Sequence, residues 1–158
     1  MQTLKPILLV EDDSVDAMTV RRALRDLHVP NAVIHLVNGE DAMKYLADPA
    51  TDKPFVILLD LNMPKMNGIE FLRVVKADAG LRITPVIVLT TSKEGQDVFD
   101  SFELGAAGYM VKPVDYREFV ELMGTVMLYW DSSELPGEEY RGVDAKHLLN
   151  IPCSETEG

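Results

Sequence analysis

Short apolar runs alternate along most of the chain with segments of helical periodicity. Buried parallel strands read as short apolar runs because both faces of their sheet are covered. The alternation of such runs with helical segments is typical of βα units, so it predicts an α/β fold with a parallel sheet. Five runs fit strands, at residues 7–10, 33–37, 56–59, 86–89 and 107–111. Five segments fit helices, near residues 17–27, 41–46, 69–75, 96–104 and 116–130.

Capping residues and glycines mark where several of these helices begin. Ser14 or Asp13 can cap the first helix, and Asp115 can cap the fifth. Side chains of this kind accept hydrogen bonds from the free N–H groups of a first helical turn. Gly39 and Gly68 are expected to form the turns before the second and third helices.

The fifth helix carries more apolar surface than packing on one sheet face requires. A helix on a sheet needs an apolar stripe of about 100°. Two explanations fit the excess: an interface with a second chain, or cover by the chain's own C-terminal tail. The stripe comprises Phe119, Leu122, Met123 and Val126, and the surplus comprises Val120, Met127 and Trp130.

The periodic pattern ends near Trp130, which divides the chain into two parts. Residues 1–130 are long enough for one domain with a core of its own. Residues 131–158 are predicted to form a C-terminal extension, with loop residues, a short helix near Asp144 and a disordered end.

The charge balance excludes some partners. The chain has 26 acidic and 15 basic residues, a net charge of −11, which argues against a general nucleic-acid surface.

No apolar run approaches the roughly 20 residues that span a bilayer, and the N-terminus lacks the features of a signal peptide. The single cysteine, Cys153, has no partner for an internal disulfide. We therefore expect a cytoplasmic protein that binds neither nucleic acid nor membrane.

Polar residues of complementary kinds follow the predicted strands. Asp12 and Asp13 follow the first strand, Asp60 the third, Thr90 the fourth and Lys112 the fifth. Ligands of open parallel sheets bind at the carboxyl ends of the strands, so these side chains are expected to share one pocket. Carboxylates that close together repel strongly unless a cation lies between them, and oxygen ligands favour Mg²⁺.

This combination suits phosphoryl transfer to a carboxylate. Mg²⁺ held by Asp13, Asp60 and a backbone carbonyl near Asn62 would neutralise charge on the transferring group, and Asp60 would be the nucleophile. Lys112 would hold another phosphoryl oxygen. Thr90 would hydrogen-bond to the product phosphoryl group and draw its loop inward.

Over about residues 5–128 the chain resembles the receiver domains of two-component response regulators. The resemblance is carried by Glu11-Asp12-Asp13, by Asp60-Leu61-Asn62-Met63-Pro64 with Gly68, by Thr90-Thr91-Ser92 and by Tyr109-Met110-Val111-Lys112-Pro113, in the family's order. It implies a flavodoxin-like, doubly wound sheet with strand order 2-1-3-4-5.

The resemblance also implies a role for each matching residue. Asp60 would accept a phosphoryl group from a sensor histidine kinase, and Asp12 and Asp13 would be the acidic metal-site pair. Thr90 and Tyr109 would be the switch residues. Lys112 would be the essential lysine, and its bond to Pro113 would be cis.

Within this family, the chain resembles the stand-alone regulators that partner bacterial and cyanobacterial phytochrome kinases. The resemblance rests on Glu11-Asp12-Asp13, on Leu89-Thr90-Thr91-Ser92 and on the fifth helix with its extended tail. That implies a switched surface on the fourth helix, fifth strand and fifth helix, which binds a partner or a second copy. A homodimer would use the fifth helix and the C-terminal extension. Such a protein is a phosphoacceptor rather than an enzyme.

Two other functions compete with this one. A haloacid-dehalogenase-like phosphatase also uses a strand-end aspartate and Mg²⁺, but it requires a second acid where this chain has Asn62. A pseudo-receiver would be an interaction module with an inactive pocket, which the presence of Asp13, Asp60, Thr90 and Lys112 disfavours. Asn62 also predicts that turnover of the phosphoryl group is slow.

Overall fold

Residues 4–133 are described by a computed structural model, and they form five strands and five helices in strict alternation. In chain order these are β1 (Ile7–Val10), α1 (Ser14–Asp26), β2 (Val33–Leu36), α2 (Gly39–Ala47), β3 (Val56–Leu59), α3 (Gly68–Ala77), β4 (Val86–Thr90), α4 (Gly95–Glu103), β5 (Gly108–Val111) and α5 (Tyr116–Ser132). All ten predicted elements are present. The α2, α3 and α4 helices begin on Gly39, Gly68 and Gly95 themselves, one or two residues earlier than predicted.

The five strands form one parallel sheet in the order β2-β1-β3-β4-β5, which confirms the predicted flavodoxin-like fold. Strands β1, β3 and β4 are buried at every position, as their continuous apolar sequences predicted. The register pairs Val10 with Leu59 across the centre of the sheet, so β1 and β3 end at the same level. Thr90 pairs with Val111, so β4 and β5 also end together.

Helix caps hold four of the five helices at the positions where they start. Asp13, Asn38, Asn67 and Asp115 each accept a hydrogen bond from a backbone N–H in the first turn of α1, α2, α3 and α5. The cap residue of α4, Glu94, makes no such side-chain bond within the described part of the chain. The start of α4 therefore has to be held by other contacts.

Two apolar clusters cover the two faces of the sheet. One joins inward side chains of β1 and β3 to α1 and α5, and it includes Val20, Leu24, Phe119 and Met123. The other joins the opposite faces of these strands to α2 and α3, and it includes Ala42, Leu46, Phe71 and Leu72. This arrangement leaves the carboxyl ends of the strands open at one edge.

The α5 helix buries part of the apolar surplus predicted for it. Met127 lies in the core, and Val120 and Trp130 pack against the core while remaining partly exposed. Leu128 and Tyr129 are exposed. The predicted C-terminal extension lies outside the described residues apart from its first three positions, so the predicted division at residue 130 stays a prediction. Within residues 4–133, no helix combines the length and apolar character needed to cross a membrane.

Candidate functional site

Three carboxylates meet where β1 and β3 end. One oxygen each from Glu11, Asp12 and Asp60 lies within 4.8 Å of the others. The register explains the meeting, because Glu11 and Asp60 directly follow the paired residues Val10 and Leu59. Glu11 is 1% exposed and Asp60 is 8% exposed, whereas Asp12 is open to solvent. The site therefore combines two buried acids with one at its mouth.

Asp13 lies outside this group of carboxylates. Its side chain accepts a hydrogen bond from the backbone N–H of Asp16 at 2.9 Å and caps α1. The acidic pair predicted from the sequence was Asp12 and Asp13, but the structure instead groups Asp12 with Glu11. The signal that identifies Glu11 is its position: it follows β1 by one residue, as Asp60 follows β3.

Lys112 reaches into the pocket from the end of β5. Its Nζ donates to Glu11 Oε1 at 2.5 Å and to Asp16 Oδ2 at 3.2 Å, and its side chain is 10% exposed. Burial lowers the pKa of the Lys112 ammonium, but the hydrogen bond and the charge of Glu11 outweigh this effect and raise it. Lys112 therefore places a positive charge beside the acids.

The acids outnumber the cation that faces them. Burial raises the pKa of the Glu11 carboxyl to about 8, with Asp60 adding to the rise and Lys112 opposing it. Burial beside a second carboxylate disfavours the anion, because the anion is poorly hydrated and repelled. A bound divalent cation would relieve this excess of negative charge.

Thr90 and Tyr109 lie on the neighbouring strands β4 and β5, where Tyr109 pairs with Val88, two residues before Thr90. Thr90 is fully buried at the end of β4, and its Oγ1 accepts a hydrogen bond from the Ser92 backbone N–H at 3.4 Å. The Tyr109 hydroxyl donates to the Ser92 carbonyl oxygen at 2.9 Å. Burial raises the pKa of the Tyr109 phenol, so the phenol stays a hydrogen-bond donor. Both predicted switch residues thus contact the loop after β4.

The loop after Asp60 passes very close to the start of α3. A Cβ added to Gly68 would lie 2.5 Å from the Asp60 carbonyl oxygen and 2.5 Å from Leu61 Cα. Glycine is therefore required for this path, which carries the exposed Asn62 two residues beyond Asp60. The Lys112–Pro113 bond is trans, as are all peptide bonds of residues 4–133, so the cis bond implied by the family resemblance is not present.

A doubly wound sheet with acids, a hydroxyl and a lysine at its strand ends is typical of a receiver-type signalling domain. The chain belongs to the response regulator receiver domain family, whose pattern it matches over residues 7–123. This is a family of signalling proteins, and the match covers every described element except the end of α5.

Individual relatives show which members of the family this chain is similar to. The chain is 35% identical over 130 residues to the response regulator Rcp1 of Synechocystis, covering 80% of this chain and 88% of Rcp1. The crystal structure of the phosphorylated cyanobacterial phytochrome response regulator RcpA superposes with a TM-score of 0.80 at 34% identity, covering 85% of this chain and 100% of RcpA. The Mn²⁺-bound form of Rcp1 gives a TM-score of 0.78 at 34% identity, covering 84% and 99%.

The donor set of this chain fits a hard divalent cation. Glu11, Asp12 and Asp60 offer carboxylate oxygens at mutual distances that one ion can bridge. Oxygen ligands of this type suit Mg²⁺ and Mn²⁺ rather than soft metals.

Proposed function

We propose that this chain is a stand-alone response regulator, in which Asp60 accepts a phosphoryl group from a sensor histidine kinase in a Mg²⁺-dependent reaction. The observation that carries the proposal is the meeting of Asp60 with Glu11 and Asp12 within 4.8 Å, beside the buried ammonium of Lys112. A carboxylate at the end of a strand, flanked by cation sites, is suited to attack phosphorus.

The proposed metal ligands are Asp12, Asp60 and the backbone carbonyl of Asn62, with Glu11 next to them. We propose Glu11 and Asp12 as the acidic pair in place of Asp12 and Asp13, because the carboxylates grouped with Asp60 are those of Glu11 and Asp12. When bound, Mg²⁺ would offset the charge of the grouped acids and of the phosphoryl oxygens.

In the proposed transfer, a carboxylate oxygen of Asp60 forms a bond to phosphorus as the phosphorus–nitrogen bond of the kinase phosphohistidine breaks. The electron pair of that bond returns to the imidazole nitrogen. Lys112 neutralises one phosphoryl oxygen as a point charge, since its ammonium is held at the pocket by Glu11 and Asp16. Thr90 would then donate its hydroxyl to the phosphoryl group.

An exposed apolar surface borders the mouth of the pocket and suits a docking kinase. Val15 and Met18 are each 68% exposed and lie three residues apart, on one face of α1. Val114, in the loop after β5, is also fully exposed. The Lys112–Asp16 hydrogen bond draws this loop and the first turn of α1 together. We infer that the kinase contacts this surface. By analogy with the phytochrome response regulator RcpA, we infer that this kinase is of the phytochrome class.

The proposed output surface comprises α4, β5 and α5. Tyr109 on β5 is bonded to the loop that leads into α4, so a shift of Thr90 has a direct route to this surface. Phe99 and Phe102 are exposed on α4, and Leu128 and Tyr129 on α5. We propose that a partner protein or a second copy of the chain covers these side chains.

Phosphorylation by a small donor tests the central claim. The protein is incubated with Mg²⁺ and acetyl phosphate, and its intact mass is measured. We expect one phosphoryl group, stable to acid and labile to base, which is absent from Asp60→Asn and when EDTA replaces Mg²⁺. An adduct that persists in Asp60→Asn, or no adduct in the wild type, would refute the proposal.

The dimer is tested by its mass in solution, with and without residues 131–158 and before and after phosphorylation. A monomer under all four conditions would leave a partner protein as the occupant of the output surface.

A further inference from the structure

The loop between β4 and α4 is tied to the first turn of α4 by one side chain, that of Ser92. Its Oγ donates to Asp97 Oδ2 at 2.6 Å and accepts from the Glu94 backbone N–H at 3.3 Å. Glu94 provides no side-chain cap, and the two bonds of Ser92 instead tie the loop to the cap residue and to the first turn of α4. Asp97 thus anchors the loop as well as the helix start.

The backbone of the same serine contacts both proposed switch residues. The Ser92 N–H donates to Thr90 Oγ1 at 3.4 Å, and the Ser92 carbonyl accepts from the Tyr109 hydroxyl at 2.9 Å. Any movement of Ser92 therefore moves the acceptor of the Tyr109 hydroxyl. We call the position of Tyr109 with this bond intact inward, and its position without the bond outward.

Asp97 is itself held from the opposite side. Its backbone carbonyl accepts from the Ser101 hydroxyl at 2.7 Å, and Ser101 is the buried residue of α4. Asp97 is consequently placed by the packed side of its helix, and it can impose that position on Ser92.

We propose that Asp97 is a positioning residue: through the Ser92 hydroxyl it fixes the loop so that the Ser92 carbonyl receives Tyr109 before phosphorylation. The inference rests on the proposed switch role of Thr90 and Tyr109, and it adds the connection from these residues to α4. Loss of the Ser92–Asp97 bond releases the loop, and Tyr109 moves outward. Conversely, a displacement of the loop at Thr90 is transmitted to the first turn of α4.

The size of the effect follows from the type of hydrogen bond. A bond from a hydroxyl to a carboxylate is stronger than one between neutral groups, and in a half-buried position its loss changes a two-state ratio by about tenfold. We therefore expect the inward-to-outward ratio of Tyr109 to fall about tenfold when either partner is removed.

The experiment is ¹⁹F NMR of unphosphorylated protein labelled with 3-fluorotyrosine. The chain has five tyrosines, and Tyr109→Phe identifies the resonance of Tyr109. Ser92→Ala and Asp97→Ala should each shift it towards the solvent-exposed position. The double variant should shift it no further than Ser92→Ala, because Asp97→Ala removes a bond that Ser92→Ala has already removed. Asp97→Asn keeps an acceptor oxygen without the charge, so it should shift the resonance less than Asp97→Ala.

Asp100→Ala is the matched control. It removes an equal charge from the same helix, but its carboxylate is bonded to Gln96 and not to the loop. An unchanged Tyr109 resonance in both Ser92→Ala and Asp97→Ala would overturn the proposal. So would an equal shift in Asp100→Ala, which would show an effect of helix charge alone. The measurement uses no phosphodonor, so a failure of phosphorylation at Asp60 is detected separately.

Discussion

Glu11, and not Asp13, belongs to the group of three carboxylates. The adjacent residues Asp12 and Asp13 should therefore respond differently to the same substitution. The two variants are Asp12→Asn and Asp13→Asn, and the quantity measured is the free energy of unfolding in urea with and without Mg²⁺. Asn caps a helix about as well as Asp, so Asp13→Asn retains the start of α1. Asp12→Asn removes one of the three grouped carboxylates.

The magnitude without metal follows from the spacing of the charges. Two unit charges 4.8 Å apart repel by about 3.5 kcal/mol at an effective dielectric of about 20, and by about 0.9 kcal/mol in bulk water. Since Asp12 is exposed, the lower figure applies more closely. We expect Asp12→Asn to stabilise the metal-free protein by about 1 kcal/mol.

With Mg²⁺ the order reverses. At about 100 times its dissociation constant, a ligand stabilises the folded state by about 2.7 kcal/mol, and a tenfold loss of affinity leaves about 1.4 kcal/mol. Asp12→Asn should show at most this smaller gain, whereas Asp13→Asn should match the wild type. If Asp13→Asn loses the Mg²⁺-dependent gain and Asp12→Asn retains it, the assignment of the site from the structure is wrong.

Three further predictions concern the loop at Gly68, the surface of α1 and a buried lysine. Gly68→Ala should destabilise the protein by about 2 kcal/mol in urea unfolding and impair phosphorylation, because its Cβ would meet backbone atoms at 2.5 Å; Gly95→Ala, with no atom within 4 Å, should cost nothing. Val15→Glu should slow phosphotransfer from the kinase at least tenfold while leaving the rate with acetyl phosphate unchanged, and equal slowing of both would contradict the docking surface. Burial lowers the pKa of Lys76 below 10.5, so the folded state binds fewer protons than the unfolded state between the lowered value and 10.5. The stability of wild type relative to Lys76→Met should therefore rise with pH over that range, and a falling difference would contradict this assignment.

The features that could be predicted from the sequence are those that depend on local pattern. The apolar runs of β1, β3 and β4 located these strands within one residue, because strands covered on both faces carry no polar interruptions. Asp115 was recognised as a cap, and Asp13 was one of two candidates for the cap of α1. Lys112 was expected at the acids because parallel strands bring their carboxyl ends to one edge.

The features that could not be predicted depend on register and on side-chain direction. Adjacent acids after β1 look equivalent in the sequence, and only the pairing of Val10 with Leu59 shows that Glu11 lies beside Asp60. The Ser92–Asp97 bond spans a loop and a helix turn, and its formation depends on the path of that loop. Local periodicity contains no information on either.

Lys112 joins parts of the chain that are far apart in sequence, at separations of 101 residues from Glu11 and 96 from Asp16. During synthesis the acidic strand ends of β1 and β3 leave the ribosome long before β5 does. A partly synthesised chain would group three carboxylates without this lysine, so their mutual repulsion opposes early closure of the pocket. The site is therefore expected to be completed late in folding, when the last strand joins the sheet and the surrounding surfaces are already formed.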